Sequence, residues 1–195
     1  MTTVLVTGGG ARLDEVVAAV EATGAEVVRV DAPGALGEAV AGRTFDGYVQ
    51  LPVPITPSQG SLVSRVEQFL TEGLLSRFRF AATALPSLAP SANVLLVGGQ
   101  TNVDADAPDD HEARTALMRV LAHALRAERA PERLTVRTAD HSWTAEQIAQ
   151  RVTGGGGRSS EDVAAQSTLA SSEGAIGQAY ADWRAEVLGL MRVEF

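Results

Sequence analysis

Residues 3–31 read TVLVTGGGARLDEVVAAVEATGAEVVRVD. The β-branched run TVLV is ended by the turn TGGG, which predicts a strand over 3–6. Leu13, Val16, Val17 and Val20 recur at three- and four-residue steps. That spacing predicts a helix over 13–23, stopped by Gly24. AEVVRVD (25–31) follows as a second strand. A strand, a glycine-rich turn, a helix and a strand are how a nucleotide-binding α/β domain begins. Two positions disagree with such a loop: Arg12 and Asp14 stand where a turn that cradles phosphate has small residues.

The alternation continues along the chain. Residues 34–42 are a short helix or turn, and DGYVQLPV (46–53) is a third strand. Leu62, Val66, Phe69, Leu70, Leu74, Phe78 and Ala81 share helical spacing, which predicts a long helix over 61–85. NVLLVGG (93–99) is a fourth strand, 111–127 an amphipathic helix and 133–139 a fifth strand. Thr144 followed by Gln147 is a capping-box pattern that opens a helix over 144–154. GGGGRSS (154–160) is a loop, and 160–172 a short helix. Ile176, Tyr180, Trp183, Val187, Leu188 and Met191 form one last helical stripe. Strands alternating with helices predict an α/β fold, a Rossmann-like doubly wound parallel sheet covered on both faces. No repeat or linker divides the chain, so one domain is expected over 1–195, with a helical region over 140–195.

Composition narrows the function. The chain has 195 residues, 45% of them hydrophobic, and a net charge of −8. That charge argues against a nucleic-acid or anionic-membrane partner, because both require a basic surface. The absence of cysteine excludes thiolate nucleophiles, disulfides and cysteine metal sites. All 16 basic residues are arginine. With no lysine, a Schiff base, a P-loop lysine and a Tyr–Lys acid/base pair are impossible within this chain. The start MTTVLVTGGG lacks a basic leader and no apolar run reaches the length of a membrane span, so a cytoplasmic protein is expected.

The segment NVLLVGGQ…HEARTALMRVLAHALRAERAPERLTVRTA, with the opening TGGG turn, resembles the short-chain dehydrogenase/reductase family. FDGYVQLPV lies where that family has its NNAG strand, and RFAATALPSLAPSANVLLVGG is similar to its helix–strand run. The resemblance covers roughly residues 3–139 and is one of spacing and hydrophobic register. It implies a dinucleotide site and a Ser–Tyr–Lys catalytic set.

The matching positions do not carry those groups. The family's T-G-x-x-x-G-x-G turn matches at Thr7 and Gly8, but its later glycines fall on Arg12 and Asp14. The NNAG position reads Gln50-Leu51-Pro52-Val53. The catalytic Tyr falls on His111, its Lys on Thr115, the Ser near Gly98 and Gly99, and the helix Asn near Glu72 or Gly73. Asp31 occupies the end-of-strand position that holds the adenine ribose in NAD users of the family. The interval between Asp31 and Asp46 is too short for the usual helix–strand–helix, so an edge βα unit after the second strand is expected to be missing.

The resemblance therefore implies a degenerate member without hydride-transfer catalysis and with no cofactor. The alternative is NAD(P), or another nucleotide, on Thr7, Gly8, Arg12 and Asp31. The structural reading of that loop is a turn capped by Asp14. His111, preceded by Asp109 and Asp110, and His141 beside Trp143 are the remaining candidates for acid/base chemistry. An acidic helix start explains the first, and a structural loop histidine the second. The acidic run over 104–110 lacks a calcium-loop pattern, so no metal site is expected. No G-x-S-x-G elbow is present.

In the family, the helices before and after the fourth strand pack against a second subunit. Phe69, Leu70, Leu74 and Phe78 on the first, and Leu117, Val120, Leu121 and Leu125 on the second, are the candidate interface. Leu75, Phe80, Met118 and Ala122 widen these apolar faces, as a second buried face would require. A non-catalytic subunit that forms a homodimer or pairs with an active short-chain dehydrogenase/reductase is the leading reading. A nucleotide-binding oxidoreductase-like protein and a flavodoxin-like module for another small ligand stand beside it.

Overall fold

The computed structural model of the chain describes residues 1–53, 61–98, 108–129, 134–139 and 142–154. All of these lie in one unit, Met1–Gly156. The expected helices over 160–172 and 176–191 lie outside the described residues, as does most of the 140–195 region.

Five strands form one sheet: β1 (Thr3–Thr7), β2 (Glu26–Val30), β3 (Phe45–Gln50), β4 (Leu88–Val97) and β5 (Thr135–Ala139). Their order is β2-β1-β3-β4-β5, and every pairing is parallel. Alternate side chains of each strand serve opposite faces. Val4, Val6, Val49, Leu95 and Val97 pack under helices α1 (Ala11–Glu21) and α6 (Ala145–Thr153), which contribute Leu13, Val16, Val20, Ile148 and Val152. Leu5, Tyr48, Val94, Leu96 and Val136 pack on the other face against α2 (Pro33–Val40), α4 (Ser76–Ala84) and α5 (Pro108–Glu128). Burial on both sides is why the central strands read as near-continuous apolar runs.

The expected Rossmann-like sheet, shortened after β2, is what forms. From β1 the chain steps outward through α1 to β2, which is an edge of the sheet. It then returns through α2 to β3 on the far side of β1. That reversal puts a topological switch point at the carboxyl ends of β1 and β3, where sheets of this type hold ligands.

Several boundaries differ from expectation. Helix α1 begins two residues early, with Gly10 as its N-cap and no side-chain capping bond. Asp14 is therefore not a cap. It lies in the first turn, and its carboxylate pairs with Arg29 at 2.6 Å. Helix α5 begins at Pro108, a residue whose fixed φ suits a first helical position. Asp109 and Asp110 are thus inside the helix rather than ahead of it.

The long helix is also not uniform. Helix α3 (Leu62–Gln68) passes into a π-helical stretch, Phe69–Leu75, before α4 and a short 3₁₀ turn, Leu85–Ser87. Hydroxyls bond back to the helix on both sides of Gly73: Thr71 to the Glu67 carbonyl at 2.7 Å, and Ser76 to that of Glu72. Such back-bonding competes with the regular ladder and loosens it. The expected capping box on α6 is present: the Thr144 hydroxyl accepts from the Gln147 amide, and the Gln147 side chain accepts from the Thr144 amide.

Candidate functional site

The glycine-rich turn lies at the switch point, yet its first amides are used within the chain. Gly8 N–H donates to the Val30 carbonyl at 3.2 Å, and Gly9 N–H to that of Pro52 at 3.3 Å. Leu51 N–H donates to the Thr7 carbonyl at 2.7 Å, which carries the β1–β3 pairing past the strand ends. Gly8 has φ +144°, and a Cβ placed on it would stand 2.6 Å from Leu51 Cβ. A pyrophosphate loop uses glycine so that backbone can approach the ligand. At Gly8 the close approach is to Leu51 instead.

Beneath this turn lies a buried polar chain. The Thr7 hydroxyl and the Tyr48 hydroxyl are 3.1 Å apart. Gln50 Nε2 donates to the Tyr48 hydroxyl at 3.1 Å and to the Arg77 carbonyl at 2.8 Å. Arg77 Nε donates to Gln50 Oε1 at 3.1 Å. Arg77 Nη2 donates to the carbonyls of Gln50 at 3.2 Å and Val97 at 2.7 Å. Thr7 and Gln50 are fully buried and Arg77 is 5% exposed. Burial pushes the Tyr48 phenol up to about 12, against the opposing pull of Thr7, Gln50 and the Arg77 charge. A proton-transferring Tyr needs the opposite shift; the Tyr48 hydroxyl is instead engaged by Thr7 and Gln50.

The other proposed cofactor residues are separated from one another by their partners. Arg12 turns to the β5–α6 connection, where its Nη2 donates to the Trp143 carbonyl at 2.6 Å. Its Nε is buried without a hydrogen-bond partner. Arg12, Glu15, Ser142 and Glu146 are among the residues that line an open groove of about 600 Å³ between α1 and the start of α6. The Glu146 carboxyl is held below its ordinary value by its own backbone N–H and by the Thr144 hydroxyl. Asp31 is exposed just beyond β2, with a carboxylate oxygen 3.6 Å from Arg29 Nη2. Arg29 thus stands between Asp14 and Asp31.

Of Gly98 and Gly99, near the family's serine position, Gly98 is buried and its N–H donates to the Ala139 carbonyl at 2.8 Å, while Gly99 lies outside the described residues. Glu72 and Gly73, at its asparagine position, lie in the π stretch. His111 is in the first turns of α5, its side chain outside the described residues; His141 lies outside them altogether.

Of the candidate interface, Leu121 and Leu125 are buried within a single chain, where they pack in the core under α5, and Phe78 is partly buried against the same core. Val120 is partly exposed. The side chains of Phe69, Leu70, Leu74 and Leu117 lie outside the described residues. Phe80, Met118 and Ala122, expected to widen an outer face, are instead core residues at 1–2% exposure. Leu75, named with them, is 46% exposed, and Val63 on the same long helix is 74% exposed.

Sequence reasoning passed over Arg77. A signal was present: Arg77 shares the stripe of Ala81 and Ala84, both buried, so a charge stands on the apolar face of its helix.

No family model matches the chain, and no curated protein matches it. Solved structures do. The Listeria innocua protein lin1944 aligns with a TM-score of 0.58 at 14% identity, over 79% of this chain and 95% of its own. A putative short-chain alcohol dehydrogenase from Burkholderia multivorans aligns at 0.57 and 13%, over 77% and 92%. The fold is that of short-chain dehydrogenase/reductase structures. A doubly substituted Serratia marcescens short-chain dehydrogenase/reductase aligns comparably, at 0.58 and 15%, over 77% and 87%. At such identities the likeness is one of fold, and function rests on the site itself. No described helix is long and apolar enough to cross a membrane.

Proposed function

We propose that this chain is a non-catalytic, dehydrogenase-like subunit that self-associates or pairs with an active short-chain dehydrogenase/reductase. One observation carries the reading: beneath the turn at the switch point Thr7, Tyr48, Gln50 and Arg77 are bonded to one another, while Leu51 stands against Gly8. The Gly8 and Gly9 amides donate to backbone carbonyls of the chain itself, which leaves them no part in cradling a phosphate. The chain also lacks the lysine that would lower a catalytic tyrosine's pKa and bind ribose. A fold without its chemistry retains its surfaces, and exposed Val63 and Leu75 lie on the helix by which the resembled family forms dimers.

The test is size-exclusion chromatography of the protein alone and co-expressed with active short-chain reductases of the same organism. A dimer or a co-eluting complex is expected. A strict monomer that captures no such reductase would defeat the proposal. Titration of NAD(H) and NADP(H), followed by tryptophan fluorescence, is expected to give no saturable change.

A second reading is nucleotide binding through Thr7, Gly8, Arg12 and Asp31. The buried, unpartnered Arg12 Nε favours it, since an anion at that donor would supply the missing acceptor. Binding with a Kd of tens of micromolar or tighter, lost in Arg12→Ala, would establish it over the first.

A further inference from the structure

We propose that the carboxyl ends of β3 and β4 form a guanidinium site, filled in cis by Arg77. The inference deepens the reading of a strand edge bonded to the chain's own groups and rests on it. Gln50 and Val97 are the last residues of their strands. Their carbonyls stand side by side at the carboxyl edge of the sheet. Arg77 Nη2 takes both, at 3.2 and 2.7 Å, and Nε takes Gln50 Oε1 at 3.1 Å. Three carbonyl oxygens therefore meet the Nε and Nη2 donors along the edge of a planar cation that is 5% exposed.

The acceptors are themselves held. Gln50 Nε2 is anchored by the Tyr48 hydroxyl and the Arg77 carbonyl, which fixes its Oε1 toward the guanidinium. Tyr48 is in turn steadied by Thr7. Three carbonyl acceptors so placed match a rigid fork of N–H donors and match a compact ammonium poorly. They select a guanidinium, and the chain supplies one from α4.

Removing the side chain should therefore leave a site that an external guanidinium can occupy. In Arg77→Ala, the unfolding equilibrium constant is expected to rise about tenfold or more, the loss typical of charge-assisted bonds left unmade. Ethylguanidinium chloride at millimolar concentration is expected to raise the urea midpoint of this variant. Ethylammonium chloride should not, and the parent protein should respond to neither. Absence of rescue, equal rescue by both cations or an equal rise in the parent would each overturn the site. Arg77→Lys keeps the charge and loses the fork. It is expected to unfold at lower urea than the parent, and parental stability in this variant would also overturn the proposal, whether or not Arg77→Ala folds. Nucleotide binding by the parent would instead sink the scaffold reading, so the two failures are distinguishable.

Discussion

At the residue scale, Gly8 and Tyr48 are both tied into the packing beneath the glycine-rich turn. Gly8 combines a φ that L-residues rarely adopt with a neighbour 2.6 Å from where a Cβ would be. Gly8→Ala is expected to destabilise the fold by about 2–3 kcal/mol, from backbone strain and overpacking together, read as a lower urea midpoint. In a protein that used Gly8 mainly for ligand approach, the apo stability would move little. Tyr48 makes a pH-dependent contribution. An unfolded phenol titrates near 10.0 and the buried one near 12. Between those values the unfolded chain releases its proton first, so the folded state binds more protons and stability falls as pH rises. The contribution is complete below pH 10 and declines by about 1.4 kcal/mol per pH unit above it. Tyr48→Phe should remove this component of the decline, seen by comparing urea midpoints of parent and variant from pH 9 to 11.5. It should also cost about 1–3 kcal/mol at neutral pH, since Thr7 and Gln50 each lose a buried partner.

At the scale of elements, the position of α6 depends on the absence of a side chain at Gly47. A Cβ there would meet Val152 Cγ2 at 2.7 Å and Val4 Cγ2 at 3.2 Å. The helix therefore lies directly on β3, with its own start fixed by the Thr144–Gln147 box. Gly47→Ala is expected to be strongly destabilising and Val152→Ala moderately so. The double variant should be less damaged than the sum, with a favourable coupling of about 1 kcal/mol, because the second change removes the atom that the first collides with. Additivity in a urea double-mutant cycle would show that α6 is not held at this contact. The cap was legible in sequence because it uses neighbours three residues apart. The Gly47 contact was not, because it joins residues far apart along the chain. The π stretch was equally hidden: Phe69, Leu70 and Leu74 keep ordinary helical spacing, while the Thr71 and Ser76 hydroxyls act on the backbone ladder.

At the scale of the molecule, the chain has a dehydrogenase-like sheet and bonds its own buried groups together at the carboxyl ends of its strands. The pairing proposal then depends on the outer side of the helix over 62–84. Val63→Glu with Leu75→Glu should convert an assembled form to monomer in size-exclusion chromatography, with circular dichroism and the urea midpoint within about 0.5 kcal/mol of the parent, since both side chains are exposed. Unchanged assembly would place the contact on another surface. Leu121 and Leu125 do not suit this test, because their burial within one chain makes any substitution a core change.

The sequence by itself determined the alternation of strands and helices, the shortened return from β2 to β3 and the absence of a Tyr–Lys pair. Each of these follows from local spacing or from the residue inventory. It could not determine which apolar face of a helix meets the sheet: Phe80, Met118 and Ala122 have the same chemistry whether they face a core or a partner. Nor could it assign the loop. Gly8, Leu51 and Arg77 are distant in sequence, and only the parallel pairing of β1 with β3 and the packing of α4 bring them to one edge. Which carbonyls Arg77 reaches at that edge is set by tertiary packing alone, because α4 and the two strands meet only in the folded chain.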